Sequence, residues 1–216
     1  MGIWIKSKES IEIDYKKIRK KEEYEPIIAN IMNDSKICFP SKYKHIDNQD
    51  HKEPDFIDAN SGEKFDAKLL FESQLCRALN EDRIEDFLKN LMDFVGFDFL
   101  SQRDKGPKDL ELYKEMKSRL ESLEEDETGL LFLPFPVLMC SPDSFFFDLC
   151  SDQFDWCFRE MSVKNKVYLI GLNIYGQVVC KQLGGYGITE YLDNKYFDDL
   201  ISTEVVGWRI EENTQE

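Results

Sequence analysis

The stretch that most constrains this chain runs from Gly129 to Cys140, GLLFLPFPVLMC, a near-continuous series of apolar residues. It is well short of the roughly 18 residues that a membrane-spanning helix needs. Without polar positions at alternating places, it fits a β-strand buried on both faces. Such a strand needs neighbours on either side and helices above and below, so the rest of the chain must supply both. Hydrophobic residues make up 42% of the sequence and aromatics 13%, enough for a packed core, which excludes wholesale disorder.

The flanking patterns provide those neighbours. Ile18, Ile28, Ile31 and Met32 recur at helical spacing, with Pro26 expected to kink or restart the helix. A strand is predicted near residues 42–46, followed by PDFIDANSGEKFDAKLLF, two short strand-like runs about a turn at Asn60-Ser61-Gly62. Leu75, Leu79, Ile84, Phe87, Leu88, Leu91, Met92 and Val95 predict one long or two short helices between Glu72 and about Leu100. Pro107 suits the first position of a charged helix running through Glu127. After the apolar strand, Ser141-Pro142-Asp143 has the cap, proline and acid of a helix start, leading through FFFDLCSDQFDWCF. VYLIGLNIYGQVVCKQL predicts a hairpin turning at Asn173 to Gly176, and ITEYLDNKYFDDLI a last helix. The expected fold is a single α/β domain over residues 1–216, with a central mixed sheet flanked by helices.

The chemistry is concentrated in the first hairpin. A two-residue loop Ser61-Gly62 would pair Asn60 with Glu63, and hence Asp55 with Lys68 and Ile57 with Asp66. Directly paired residues share a face and alternate residues return to it, so Asp55, Asp66 and Lys68 would project from one side. A four-residue loop shifts the pairing by two and keeps them together, whereas a three-residue loop sends Asp55 to the other face. Two carboxylates offer the oxygen ligands that Mg²⁺ prefers, and a lysine beside them can position water or stabilise a pentavalent phosphorus.

This arrangement resembles the PD-(D/E)xK nuclease superfamily, on Pro54-Asp55 and Asp66-Ala67-Lys68 and on the order helix, strand, acidic hairpin, helix. The likeness covers roughly residues 15–100. It implies a restriction-endonuclease-like core over about 15–140 with a C-terminal α/β elaboration over about 141–210. It also implies a Mg²⁺- or Mn²⁺-dependent nuclease of bacterial defence or conflict, with Asp55 and Asp66 as metal ligands and Lys68 as a catalytic partner. Family members often add an acid from the first helix, for which Glu22 and Glu25 both stand ready. Some carry a glutamine on the helix after the lysine, where Gln74 stands.

Charge points to a second class of function. Lysine and arginine number 28 against 43 acidic residues, a formal net charge of −15. Such a chain is repelled by nucleic acid unless its basic residues gather, as Lys16, Lys17, Arg19, Lys20 and Lys21 do. The opposite pole, Glu121 to Glu127, reads as a solvated helix face. The alternative is therefore a non-catalytic acidic interaction protein, of immunity or inhibitor type, that meets a basic protein. His45 and His51 read as exposed loop residues, Gly184 to Gly187 as a turn, and the six cysteines as buried free thiols of a cytoplasmic protein. No membrane partner is expected.

Overall fold

The computed structural model describes residues 12–13, 18, 20–46, 53–94, 106–138, 153–173, 177–185, 188–193, 195–196 and 201–202. Its centre is β5 (Glu127–Leu138), the apolar run singled out above. Leu130, Leu131, Phe132, Leu133 and Phe135 are all completely buried, so both faces of this strand are covered. On one side it pairs in parallel with β4 (Lys64–Leu69), and on the other with β6 (Val167–Asn173), also in parallel. Antiparallel strands extend the sheet outward in both directions. β3 (Phe56–Asp58) and β2 (Tyr43–His45) follow β4, while β7 (Val178–Gln182) and β8 (Thr189–Leu192) follow β6. The result is a seven-stranded mixed sheet in the order β2-β3-β4-β5-β6-β7-β8. A separate two-stranded pair joins β1 (Glu12–Ile13) to β9 (Ile201–Ser202).

Prolines are rare in central strands because they cannot donate to the ladder. Pro134 and Pro136 are accommodated because pairing with β4 ends at Phe132, and pairing with β6 is irregular between Leu133 and Leu138. The parallel connections carry helices. Between β4 and β5 lie α2 (Glu72–Asn80), α3 (Ile84–Phe94), a 3₁₀ turn at Pro107–Asp109, and α4 (Glu111–Leu120). A helical segment over 153–159, α5, lies between β5 and β6. The α2/α3 break falls at Asp82, which takes the left-handed conformation (φ 54°).

Helix α1 (Lys21–Asp34) precedes the sheet and buries Tyr24, Ile28, Ile31 and Met32. The Tyr24 ring lies 5.9 Å from that of Phe132 on β5. Glu23 accepts a hydrogen bond from the Lys20 N–H (3.2 Å), closing the helix start from the third position. The helix does not restart at Pro26; it runs from Lys21 through Asp34 with the proline inside it, at the cost of one backbone donor.

Two further expectations are corrected. The charged helix beginning near Pro107 ends at Leu120 rather than Glu127, so the acidic pole forms a turn into β5 instead of a helix face. The first part of the last predicted helix, Thr189–Leu192, is instead an edge strand, because pairing with β7 outweighs its helical spacing. Glu190 on that strand is drawn inward to the end of α1. Its carboxylate accepts the backbone N–H groups of Lys36 (2.8 Å), Ile37 (3.1 Å) and Cys38 (3.0 Å), and the Ser35 hydroxyl. The Ser141-Pro142-Asp143 helix start lies outside the described residues. The β6–β7 hairpin forms as expected. Among the described residues, no helix is long and apolar enough to cross a membrane.

Candidate functional site

The hairpin register decides whether the predicted residues meet. Phe56 pairs with Phe65 and Ile57 with Lys64, so the loop is the four-residue form, Ala59 to Gly62, rather than the two-residue form. Asp58 sets that length. Its side chain accepts the Asn60 N–H (2.7 Å) and the Ser61 hydroxyl (2.8 Å), and its carbonyl accepts the Gly62 N–H (2.9 Å). Gly62 supplies the positive φ (76°) that closes the turn. Burial alone would raise the Asp58 carboxyl, but the hydrogen bonds from Asn60 and Ser61 outweigh it and hold it below the usual range. A four-residue loop keeps the parity of the shorter one, and one step beyond Phe56–Phe65 brings Asp55 opposite Asp66.

Asp55 lies just before β3 and puts its carboxylate into the ladder, where Oδ2 accepts the Ala67 N–H at 2.7 Å. Its own carbonyl accepts the Ile46 N–H (2.8 Å), which ties it to β2. Asp66 and Asp55 both face Lys21 Nζ, at 3.7 and 2.8 Å. Lys68 Nζ reaches Asp66 Oδ2 at 2.5 Å. Burial and the neighbouring Asp55 raise the Asp66 carboxyl above its ordinary value, against the pull of Lys68. The three residues expected on one side of the hairpin are therefore brought together.

Helix α1 completes the group. Glu25 is buried (7% exposed), whereas Glu22 is exposed, so the open choice between them falls to Glu25. The two oxygens of Glu25 have different partners: Oε2 accepts from His45 Nε2 at 2.7 Å, and Oε1 lies 3.6 Å from Lys21 Nζ. His45 is thus a strand residue engaged with the site, not a loop histidine. The Lys21 ammonium sits among all three carboxylates, 2.8 and 3.0 Å from the oxygens of Asp55 and 3.7 Å from Asp66. Burial works against the ammonium, but Asp55, Asp66 and Glu25 outweigh it and raise its pKa. The Tyr24 phenol is also pushed well up, first by burial and then by Glu72, Glu25 and Asp55. Three carboxylates thus surround the Lys21 ammonium.

The turn out of β4 is strained. Phe71, completely buried, takes φ 57° at the start of α2, a conformation that a bulky residue rarely adopts. Its N–H donates to Glu115 Oε1 (3.0 Å), and Glu115 is held in turn by Arg119. Gln74 stands on α2 with its Oε1 buried and without a hydrogen-bond partner among the described residues; no hydrogen bond or ion pair described here joins it to the other four predicted residues.

Oxygen donors of the kind supplied by Glu25, Asp55 and Asp66 suit a hard divalent cation, and here the Lys21 ammonium lies among them. Among the described residues, no group of three or more His, Cys, Asp or Glu side chains is arranged as it stands to hold a metal ion. Sequence reasoning missed Lys21 and His45 as members of the site. The i, i+4 spacing of Lys21 and Glu25 was the available signal for the first, while only the fold places His45. His51, Lys16, Lys17 and Arg19 lie outside the described residues. No known protein family, no curated protein and no solved structure matches this chain.

Proposed function

We propose that the chain is a Mg²⁺-dependent nuclease that hydrolyses phosphodiester bonds in nucleic acid, in the setting of bacterial defence or conflict. One observation carries the reading: Glu25, Asp55 and Asp66, from a helix and a hairpin, converge on the Lys21 ammonium, with Lys68 paired to Asp66 beside them. The sheet order around them, a helix and three antiparallel strands followed by a parallel strand, agrees with a restriction-endonuclease-like core. Asp55 and Asp66, with Glu25 beside them, would hold Mg²⁺ or Mn²⁺ through carboxylate oxygens. When bound, the ion supplies Lewis-acid polarisation of the phosphate and acidification of a water.

The chain's own residues do the rest. The Ala67 N–H fixes the rotamer of Asp55, and His45 fixes that of Glu25, so the oxygens that face the centre are preorganised. Lys68 holds Asp66 in line and carries a positive charge for the oxygens of an incoming phosphate. Gln74, with its unpartnered oxygen, is available at the start of α2 to orient a water. Lys20 and Lys44, exposed on the segments that carry Lys21 and His45, provide local positive charge against the acidic balance of the whole.

Purified protein with Mg²⁺ or Mn²⁺ should cut plasmid DNA or structured RNA, and EDTA or Asp66→Ala should abolish cutting while the protein stays folded. The −15 charge favours the second reading, an acidic protein that binds a basic partner. Inactivity on every substrate with either metal, together with a large drop in the melting temperature of Asp66→Ala, would replace the nuclease reading with that one.

A further inference from the structure

We propose that Lys21 is a tethered counter-ion that occupies the cation position among Glu25, Asp55 and Asp66 and must withdraw before a divalent ion can enter, which makes it a gate on metal loading. The inference rests on the cation-site reading given above and concerns how that site is controlled.

The geometry makes the two occupants mutually exclusive. Lys21 Nζ engages both oxygens of Asp55 and lies within 4 Å of an oxygen of Glu25 and of Asp66, so the carboxylate edges that an ion would need already face a nitrogen. The position of Lys21 in its helix also matters. It is the first residue of α1, where the positive end of the helix dipole disfavours a cation. Its ammonium is therefore held by the carboxylates and not by the helix. Its side chain is 34% exposed, so the flexible stem can swing to water without any movement of α1.

Charge balance favours the exchange. Three carboxylates face the two ammonium groups of Lys21 and Lys68, which leaves one negative charge uncompensated. A divalent ion in place of Lys21 brings the cluster to neutrality. The freed ammonium would then stand at the rim, where an anionic backbone would arrive. A tethered charge that occupies the site lowers the apparent affinity for metal in proportion to its occupancy.

The test is Mn²⁺ binding to the full chain, followed by electron paramagnetic resonance, for wild type, Lys21→Gln and Lys21→Arg. Lys21→Gln should bind about tenfold more tightly than wild type, whereas Lys21→Arg, which keeps the charge, should bind no more tightly than wild type. A second measurement needs no variant: acetylation of Lys21 by a water-soluble reagent, read by mass spectrometry, should accelerate several-fold when Mn²⁺ is added, while Lys64 stays unchanged. Equal affinity in wild type and Lys21→Gln, labelling of Lys21 that ignores Mn²⁺, or no Mn²⁺ binding in any protein would each overturn the gate. Tighter binding by Lys21→Gln without cutting of any nucleic acid would sustain the gate and end the nuclease reading. Cutting by wild type with an affinity indifferent to Lys21 would do the reverse.

Discussion

Asp55 and Asp66 would share a metal, yet their removal should have unequal consequences for stability. Asp55→Ala leaves the Ala67 N–H without its 2.7 Å acceptor in a buried part of the ladder, a loss of about 1–3 kcal/mol. It also strips Lys21 of its nearest partner; since Lys21 is one-third exposed, that adds no more than about 1 kcal/mol. The total is about 1–4 kcal/mol, or roughly 2–16 °C in melting temperature for a chain of this size. Asp66 differs because burial and Asp55 disfavour its charged form. Its folded-state pKa is raised, so the stability it contributes is complete below the unfolded value of 3.8 and is lost as pH rises through the folded value. Near neutral pH, Asp66→Ala therefore removes a costly charge along with its ion pair and should stay within about 1 kcal/mol of wild type. Urea unfolding followed by circular dichroism, in EDTA near pH 7.5, measures both. Equal losses, or a larger loss for Asp66→Ala, would refute the assignment of Asp55 as the structural partner and Asp66 as the strained one.

Three further outcomes are expected. Burial opposes ionisation of Glu190, but the N–H groups of Lys36, Cys38 and Ile37 and the Ser35 hydroxyl outweigh it and hold its carboxyl below 4.5. Its contribution is then complete above that value and lost as pH falls through the folded one; Glu190→Gln should cost about 1–3 kcal/mol near neutrality and progressively less in acid, read from melts across that range. Gly184→Ala should cost about 2–4 kcal/mol in the urea midpoint, because φ is +77° there and the new Cβ would lie 2.6 Å from the Phe158 ring; a neutral variant would mean that the turn does not pack on α5. Burial pushes the thiols of Cys38 and Cys157 up to about 12 and that of Cys180 well above its usual value, so in native protein near pH 8 all three should resist a disulfide reagent that modifies the half-buried Cys76, and should react in urea.

The sequence by itself determined what local chemistry can determine. The run from Leu130 to Phe135 could only be buried on both faces, and it became the central strand. The parity of Asp55, Asp66 and Lys68 survives a change from a two-residue to a four-residue loop, so their convergence was legible even though the exact pairing was not. The choice between those loops rested on Asp58 turning its side chain back onto Asn60 and Ser61, which composition alone did not single out. The tertiary structure decided everything that depends on how one element lies against another. Glu22 and Glu25 are equivalent in the sequence; the packing of Tyr24, Ile28 and Ile31 rotates Glu25 into the site and Glu22 out to water. The same rotation delivers Lys21 to the carboxylates, and the pairing of β2 with β3 brings His45 to Glu25. Thr189–Leu192 carries a helical pattern, but the free edge of β7 and the N–H groups after α1 offered Glu190 a better set of partners than a helix could. Such contacts join residues far apart in the chain, and spacing within one segment does not encode them.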